Sequence, residues 1–236
     1  MPYSHVWMVA GILALGASFA QGQGMRESFD SLAAWEPLTF PKIKKKSQYQ
    51  VVAMDGDSVL KANADASASG LVRKESFNPY DTPILRFRWR AENVLEKGNA
   101  MRKDGDDYPI RIYVFFPYDP DQADWRMRAK YGLAKRIFGE YPPHSGLNYI
   151  WANRRHEKRI LESPYTDRSR MIILQAGKDR LGAWIKEEVN ILEDYREAFG
   201  EDSPPQEAQL AIMSDADNTG GKAVAYVDWI ELRTAE

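Results

Sequence analysis

Two acidic stretches concentrate the chain's candidate chemistry. Asp104-Gly105-Asp106-Asp107 is followed by Arg111, and Asp215-Ala216-Asp217-Asn218-Thr219-Gly220-Gly221 lies near the end of the sequence. Paired carboxylates can work as general acid and base, or hold a hard cation through their oxygens. Asp215, Asp217, Thr219 and Gly220 meet positions 1, 3, 5 and 6 of the EF-hand pattern, but Tyr226 stands where its bidentate acid at 12 belongs. The stretch is therefore not an EF-hand. It reads either as a strand-connecting turn, whose Asp and Asn side chains bond nearby N–H groups, or as a ligand or Ca²⁺ site with Asp215 and Asp217 as metal ligands. In an extended strand Asp107, Pro109 and Arg111 share a face. An Arg beside a carboxylate lowers its pKa, which suits an ion pair or a binding cleft better than a proton donor.

Aromatic rings form the second group. Trp89, Tyr113, Tyr149, Trp151, Trp184, Tyr195 and Trp229 are spread over several segments. Flat rings stack on the apolar faces of sugars, yet aromatic residues in strands mostly fill the core. Tyr149 and Trp151 share a strand face and Trp184 follows Gly182, so these three are the stacking candidates. His144 and His156 flank Tyr149-Ile150-Trp151 and titrate near neutrality, but neither sits in a recognisable dyad. Lys42 with Lys44-Lys45-Lys46 reads as a solvated or edge-protecting run, with phosphate or headgroup contact as the alternative. No G-x-S-x-G, P-loop or G-x-G-x-x-G occurs, so neither a serine-hydrolase elbow nor a nucleotide site is supported.

Short strands must position these groups. Leu85, Phe87 and Trp89 alternate with Arg86, Arg88 and Arg90, the pattern of a half-buried strand. Asp55-Gly56 predicts a tight hairpin between Gln48–Ala53 and Ser58–Ala62. Tyr108–Phe116, Leu147–Ala152, Arg170–Ala176, Gln209–Ser214 and Ala223–Leu232 are further expected strands. In the last, Ala223, Ala225, Val227 and Trp229 share one face, and Val224, Tyr226, Asp228 and Ile230 the other. Two helices interrupt them. Trp125, Ala129, Leu133 and Ile137 recur every four residues within Gln122–Phe138, and Pro142-Pro143 stops continuation. That helix is basic and is expected to pack on the strands, with a membrane surface as the alternative. Asn190 can cap a second helix with Glu193 as its box partner, and Gly200 stands at its C′ end.

The 236 residues contain no cysteine and three histidines, which excludes disulfides, thiolate zinc sites and a thiol nucleophile, and leaves little for a multi-histidine metal centre. Lys+Arg at 32 against Asp+Glu at 34 gives a net charge of −2, so no charge excess points to nucleic acid. Val6–Ala20 is an apolar run too short to cross a bilayer core of roughly 30 Å comfortably. Ser18 and Ala20 fit the −3 and −1 positions of a cleavage site. We expect residues 1–20 to be a signal peptide, residues 21–236 one domain, and the protein exported, periplasmic or secreted, with no membrane contact after cleavage. A retained anchor is the alternative.

Four ordered motifs resemble a known family: Asp106–Phe116, Leu147-Asn148-Tyr149-Ile150-Trp151-Ala152, Trp184 with Glu188-Val189-Asn190, Asp194-Tyr195-Arg196 and Ala198-Phe199-Gly200, and Ile212–Gly220. Together they resemble the exported bacterial domain-of-unknown-function family numbered 3047, with Ser214 and Ala216 where threonines are expected and Val189 where arginine is. The resemblance implies a mainly β, jelly-roll (galactose-binding-like) sandwich similar to carbohydrate-binding modules, here with two inserted helices. Fold does not fix function. The leading expectation is a non-catalytic module binding a glycan or other polar ligand through Asp107, Arg111, Asp215, Asp217 and Asn218, with Tyr149, Trp151 and Trp184 stacking. The alternatives are a carbohydrate-active hydrolase or lyase using Asp106, Asp107 and Asp215 or Asp217, and an envelope scaffold.

Overall fold

In the computed structural model, Leu85, Phe87 and Trp89 have no solvent exposure, and the intervening arginines point away from them. The structure describes residues 24–120, 143–200 and 203–235. The expected signal segment and the helix expected over Gln122–Phe138 lie outside the described residues.

The strands form two stacked sheets, a β-sandwich of the jelly-roll kind. One sheet has the order β11(Ile185–Asn190), β6(Ile84–Ala91), β13(Lys222–Arg233), β4(Asp57–Asp65), β3(Gln48–Met54), with β1(Met25–Glu27) also paired to β13. The other runs β2(Trp35–Leu38), β5(Ala68–Arg73), β12(Gln209–Asp215), β7(Arg111–Phe116), β8(Ser145–Ala152), β10(Thr166–Ala176), β9(Ile160–Ser163). Neighbours are antiparallel except β8 and β10, which are parallel, with β9 formed outside β10 on the way.

The core lies between the sheets. Phe87 and Trp89 from one sheet meet Tyr149 and Trp151 from the other, with Phe87–Tyr149 centroids 6.5 Å apart and Trp89–Trp151 5.9 Å apart. The buried indoles keep their hydrogen bonds: Trp89 Nε1 donates to Glu187 Oε1 at 3.2 Å and Trp151 Nε1 to the Gly177 carbonyl at 3.2 Å.

The local signals behave as their chemistry requires. Asp55 and Gly56 both take positive φ, 55° and 94°, closing the β3–β4 hairpin. Asn190 Oδ1 accepts from Leu192 N and Glu193 N at 3.1 and 3.3 Å, starting helix α1(Ile191–Phe199), and Gly200 follows at φ 89°.

Two expectations need correction. The seventh strand begins at Arg111 rather than Tyr108, because Tyr108 leaves the ladder to pack in a satellite cluster with Ile150 and Met171. In β13 the pairing with β6 shifts between Val227 and Trp229. This bulge flips the alternation. Ile230 and Leu232 enter the core, and Trp229 turns out to stack under Arg26, 4.7 Å from its Cζ.

Candidate functional site

Parity along β7 divides two environments. Ile112, Val114 and Phe116 face the core, while Arg111, Tyr113 and Phe115 face outward. On β8, Gly146 and Asn148 share that outer face; on β12, Ala211, Met213 and Asp215 do. Gly146, Ala211 and Ala68 are small, so the sheet surface sinks there. The result is a cleft of about 490 Å³ on the outer face of the seven-stranded sheet.

Its polar end is built from both acidic stretches. The turn Lys103–Gly105 brings Asp106 and Asp107 over the start of β7. The turn needs glycine, since a Cβ on Gly105 would sit 2.8 Å from the Asn99 nitrogen. Asn153 pins the segment, donating from Nδ2 to the Asp107 carbonyl at 2.5 Å and accepting from Leu95 N at 2.7 Å.

Arg111 pairs with Asp215 through Nη2, and its Nη1 lies 3.5 Å from Asp106 Oδ2. Its guanidinium carbon sits 4.8 Å from the Tyr108 ring centre. The second oxygen of Asp215 accepts from Tyr108 N at 3.1 Å, and Tyr108 Oη donates to Asp106 Oδ1 at 2.9 Å. The expected pairing of Asp107 with Arg111 is thus replaced, because the chain before β7 is not extended strand.

Asp107 has another task. Fully buried, it accepts from Asn218 N at 3.2 Å and Asn218 Nδ2 at 3.0 Å on one oxygen, and from Thr219 N at 2.6 Å on the other. It holds the Asp215–Gly220 turn against the end of β7 and does not line the cleft.

One cation therefore stands among several carboxylates. Burial pushes the Asp215 carboxyl well above the usual range; Arg111 opposes this, while Asp107, Asp106 and Asp217 add to it. Burial likewise raises Asp106 against the pull of Arg111, and raises Asp217, with Asp107 adding to the effect. Burial alone would disfavour the Arg111 charge, but Asp215 and its neighbours more than compensate and keep the guanidinium protonated.

Carboxylate oxygens of Asp107, Asp215 and Asp217 lie within 4.8 Å of one another, close enough in distance to hold a cation. The donor set fits one poorly. Both oxygens of Asp107 and both of Asp215 already accept N–H groups, and the Arg111 charge adjoins them. This favours the turn over the Ca²⁺ reading of Asp215 and Asp217.

The sequence candidates thus divide. Arg111, Asp215, Asp217 and Asn218 meet at the cleft. Tyr149 and Trp151 have no exposure and pack in the inter-sheet core, because their strand face is the inner one. Trp184 lies on the other sheet's outer side, 4.9 Å from the Arg88 guanidinium carbon, with Nε1 donating to Asp55 at 3.3 Å. None of these three rings reaches the cleft. His144 Nδ1 is 3.0 Å from Ser145 Oγ, and burial lowers the His156 pKa.

Sequence reasoning passed over Asn148, Phe115, Phe40 and Tyr165, which line the cleft. Asn148 had a signal: it is the polar residue in the otherwise apolar run Leu147–Ala152, and so marks that strand's second face.

Residues 33–231 match the family model described as "Protein of unknown function (DUF3047)". The chain belongs to this family. No curated protein matches it. Among solved structures it is similar to the enzymatically active domain of bacteriophage CBA120 tailspike protein 4, at 8% identity and a TM-score of 0.38 over 87% of this chain, although it spans only 20% of that one. It is also similar to winged bean acidic lectin complexed with methyl-α-D-galactose, at 9% identity and a TM-score of 0.42 over 91% of this chain and 99% of that one. A family 11 xylanase from Neocallimastix patriciarum aligns at 10% identity with a TM-score of 0.38, over 92% of this chain and 98% of that one. Likeness at this level carries no argument about ligand or reaction.

Proposed function

We propose that the protein is an exported, non-catalytic β-sandwich that binds a glycan or similar hydroxylated ligand in the cleft of its seven-stranded sheet. One observation carries this reading. The cleft joins aromatic and apolar walls to a buried set of donors and acceptors, the combination that fixes a small ligand's orientation. Arg111 and Asn148 line it, and each keeps a buried polar atom, Nε and Oδ1, with no hydrogen-bond partner among the described residues. A buried polar atom without a partner costs about 1–3 kcal/mol, and a hydroxyl, being donor and acceptor at once, relieves both kinds. A bare ammonium would meet Arg111, and a carboxylate would meet Asp106, Asp215 and Asp217.

Calorimetric titration of the full chain with soluble neutral oligosaccharides tests this. Saturable binding that weakens in Asn148→Leu is the expected result. Silence across the panel, from a sample shown to be folded, removes the reading.

A hydrolytic reading draws support from Asp215 and Asp217 bordering one cleft. In it Asp217, half-buried and with a raised pKa, supplies the proton. Glycan turnover that disappears in Asp217→Asn while binding persists would favour this reading over the non-catalytic one.

A further inference from the structure

We infer that the cleft takes an amphiphilic ligand: a hydroxylated head at the Arg111 end and an apolar body of several carbons toward Phe115. The inference rests on the polar-ligand reading and adds the part of the ligand that the polar groups do not explain.

The cleft is graded along β7. Arg111, with Asp215 and Asp217 beside it, forms one end, Tyr113 the middle, and Phe115 the other end. At about 3.3 Å per residue the two ends lie roughly 13 Å apart. A single sugar ring at the polar end does not span that length.

The far half is mainly apolar on the outer side of the sheet, although Lys42 and Ser145 also border the cleft. Leu38, Val72, Phe115 and Ala211 form a cluster separate from the inter-sheet core, with Phe40 and Tyr113 packed against it. Leu38, Phe40, Tyr113, Phe115 and Ala211 all border the cleft. The polar half and this cluster are joined along Ala211 and Gly146, where a methyl group and a bare backbone keep the sheet surface low. Among the described residues a Cβ added at Gly146 meets nothing closer than 3.7 Å, the Phe115 Cβ and the Val114 carbonyl oxygen, so the position accepts a side chain.

The head is specified by what surrounds it. Asn148, 3% exposed, offers midway along the cleft an oxygen with no partner among the described residues, Arg111 an Nε–H likewise without one, and Asp217 a carboxylate. Hydroxyls satisfy all three. The body is specified by the walls, because burying each CH₂ adds about 0.8 kcal/mol, close to fourfold in affinity per carbon when fully buried.

The test compares three probes on the full chain by calorimetry: methyl β-D-glucoside, n-octyl β-D-glucoside below its micellar concentration, and 1-octanol. The octyl glucoside should bind at least tenfold more tightly than either of the others. Phe115→Ala should cut its advantage over the methyl glucoside to less than threefold. Gly146→Leu, whose Cβ stands 3.7 Å from the nearest described backbone atom and whose branch enters the passage, should do the same and keeps the test open if Phe115→Ala does not fold. Equal affinity for the two glucosides overturns the inference and leaves the polar-ligand reading standing. Octanol binding as tightly as octyl glucoside overturns it by showing that the head is not recognised. If no probe and no oligosaccharide binds a folded sample, both readings fall together.

Discussion

At the scale of single residues, the site turns on Arg111 and the carboxylates around it. Arg111 is 4% exposed and Asp215 1%, so removing either partner strands a buried charge. Breaking such a pair costs about 3–5 kcal/mol, whereas replacing both members by apolar groups is often near neutral. Arg111→Met and Asp215→Leu should each destabilise strongly in urea unfolding, and the double variant should be more stable than the Arg111→Met protein. Simple additivity of the two losses would show that the pair is not the coupled unit the geometry describes. The same residues argue about calcium. The oxygens of Asp107 and Asp215 are occupied by N–H donors, so millimolar Ca²⁺ or chelation should leave the unfolding temperature unchanged. A rise of several degrees with Ca²⁺, lost in Asp217→Ala, would restore Asp215 and Asp217 as metal ligands.

At the scale of elements, the sheets are tied by polar contacts beneath the cleft as well as by the core. Tyr49 on β3 donates its hydroxyl to the Ser69 carbonyl on β5 at 2.5 Å and accepts from Ser214 N on β12 at 2.9 Å. Ser69 and Ser214 are both buried, so Tyr49→Phe leaves two backbone groups unpaired. About 1–3 kcal/mol of stability should be lost in denaturant unfolding; a change under 0.5 kcal/mol would mean that water or a shifted partner replaces the hydroxyl. Elements also show why sequence reading went as far as it did. Ile84–Ala91 was legible because one face is solvated and the other buried, which produces alternation. Ala68–Arg73 was passed over because it is buried on both faces and rich in small residues, so no period survives. Ile185–Asn190 was missed because its polar run gives a weak signal, although Ile185 and Val189 mark its buried face. Tyr149 and Trp151 were correctly placed on one face of a strand. Which face meets the core depends on strand order, which one strand's sequence does not contain.

At the scale of the whole molecule, four carboxyls outside the Arg111–Asp215 pair share a direction. Burial raises Asp106, Glu187, Asp194 and Asp217 above their ordinary values. A carboxyl with a raised folded-state pKa binds protons more tightly folded than unfolded. Its contribution to stability is fully present below the unfolded pKa and is lost as pH rises through the folded value. His156 acts in the opposite sense: its lowered pKa costs stability as pH falls below the usual 6.5. Asp65, Glu96 and Asp104, held low by Lys45, Lys178 and Arg102, also oppose the trend but are solvent-exposed and screened, so the unfolding temperature should rise as pH falls from neutrality toward the ordinary carboxyl range of about 4. A steady fall over that interval would show that Arg111, Arg159 and the hydrogen-bond donors hold these groups ionised instead.

Both acidic motifs were legible as chemistry in the sequence, and their meeting was not. It requires β12 beside β7, with Asp107 reaching across to Asn218 and Thr219. The seven-stranded sheet therefore makes the cleft, and the other sheet's aromatic–arginine face, where Trp184 lies, is the rival binding surface. Calorimetry with a soluble oligosaccharide on the parent chain, Asn148→Leu and Trp184→Ala separates the two. A ligand held in the cleft requires binding by the parent and by Trp184→Ala, and its weakening in Asn148→Leu. Binding unchanged in Asn148→Leu and lost in Trp184→Ala would place the site on the opposite face and contradict the assignment.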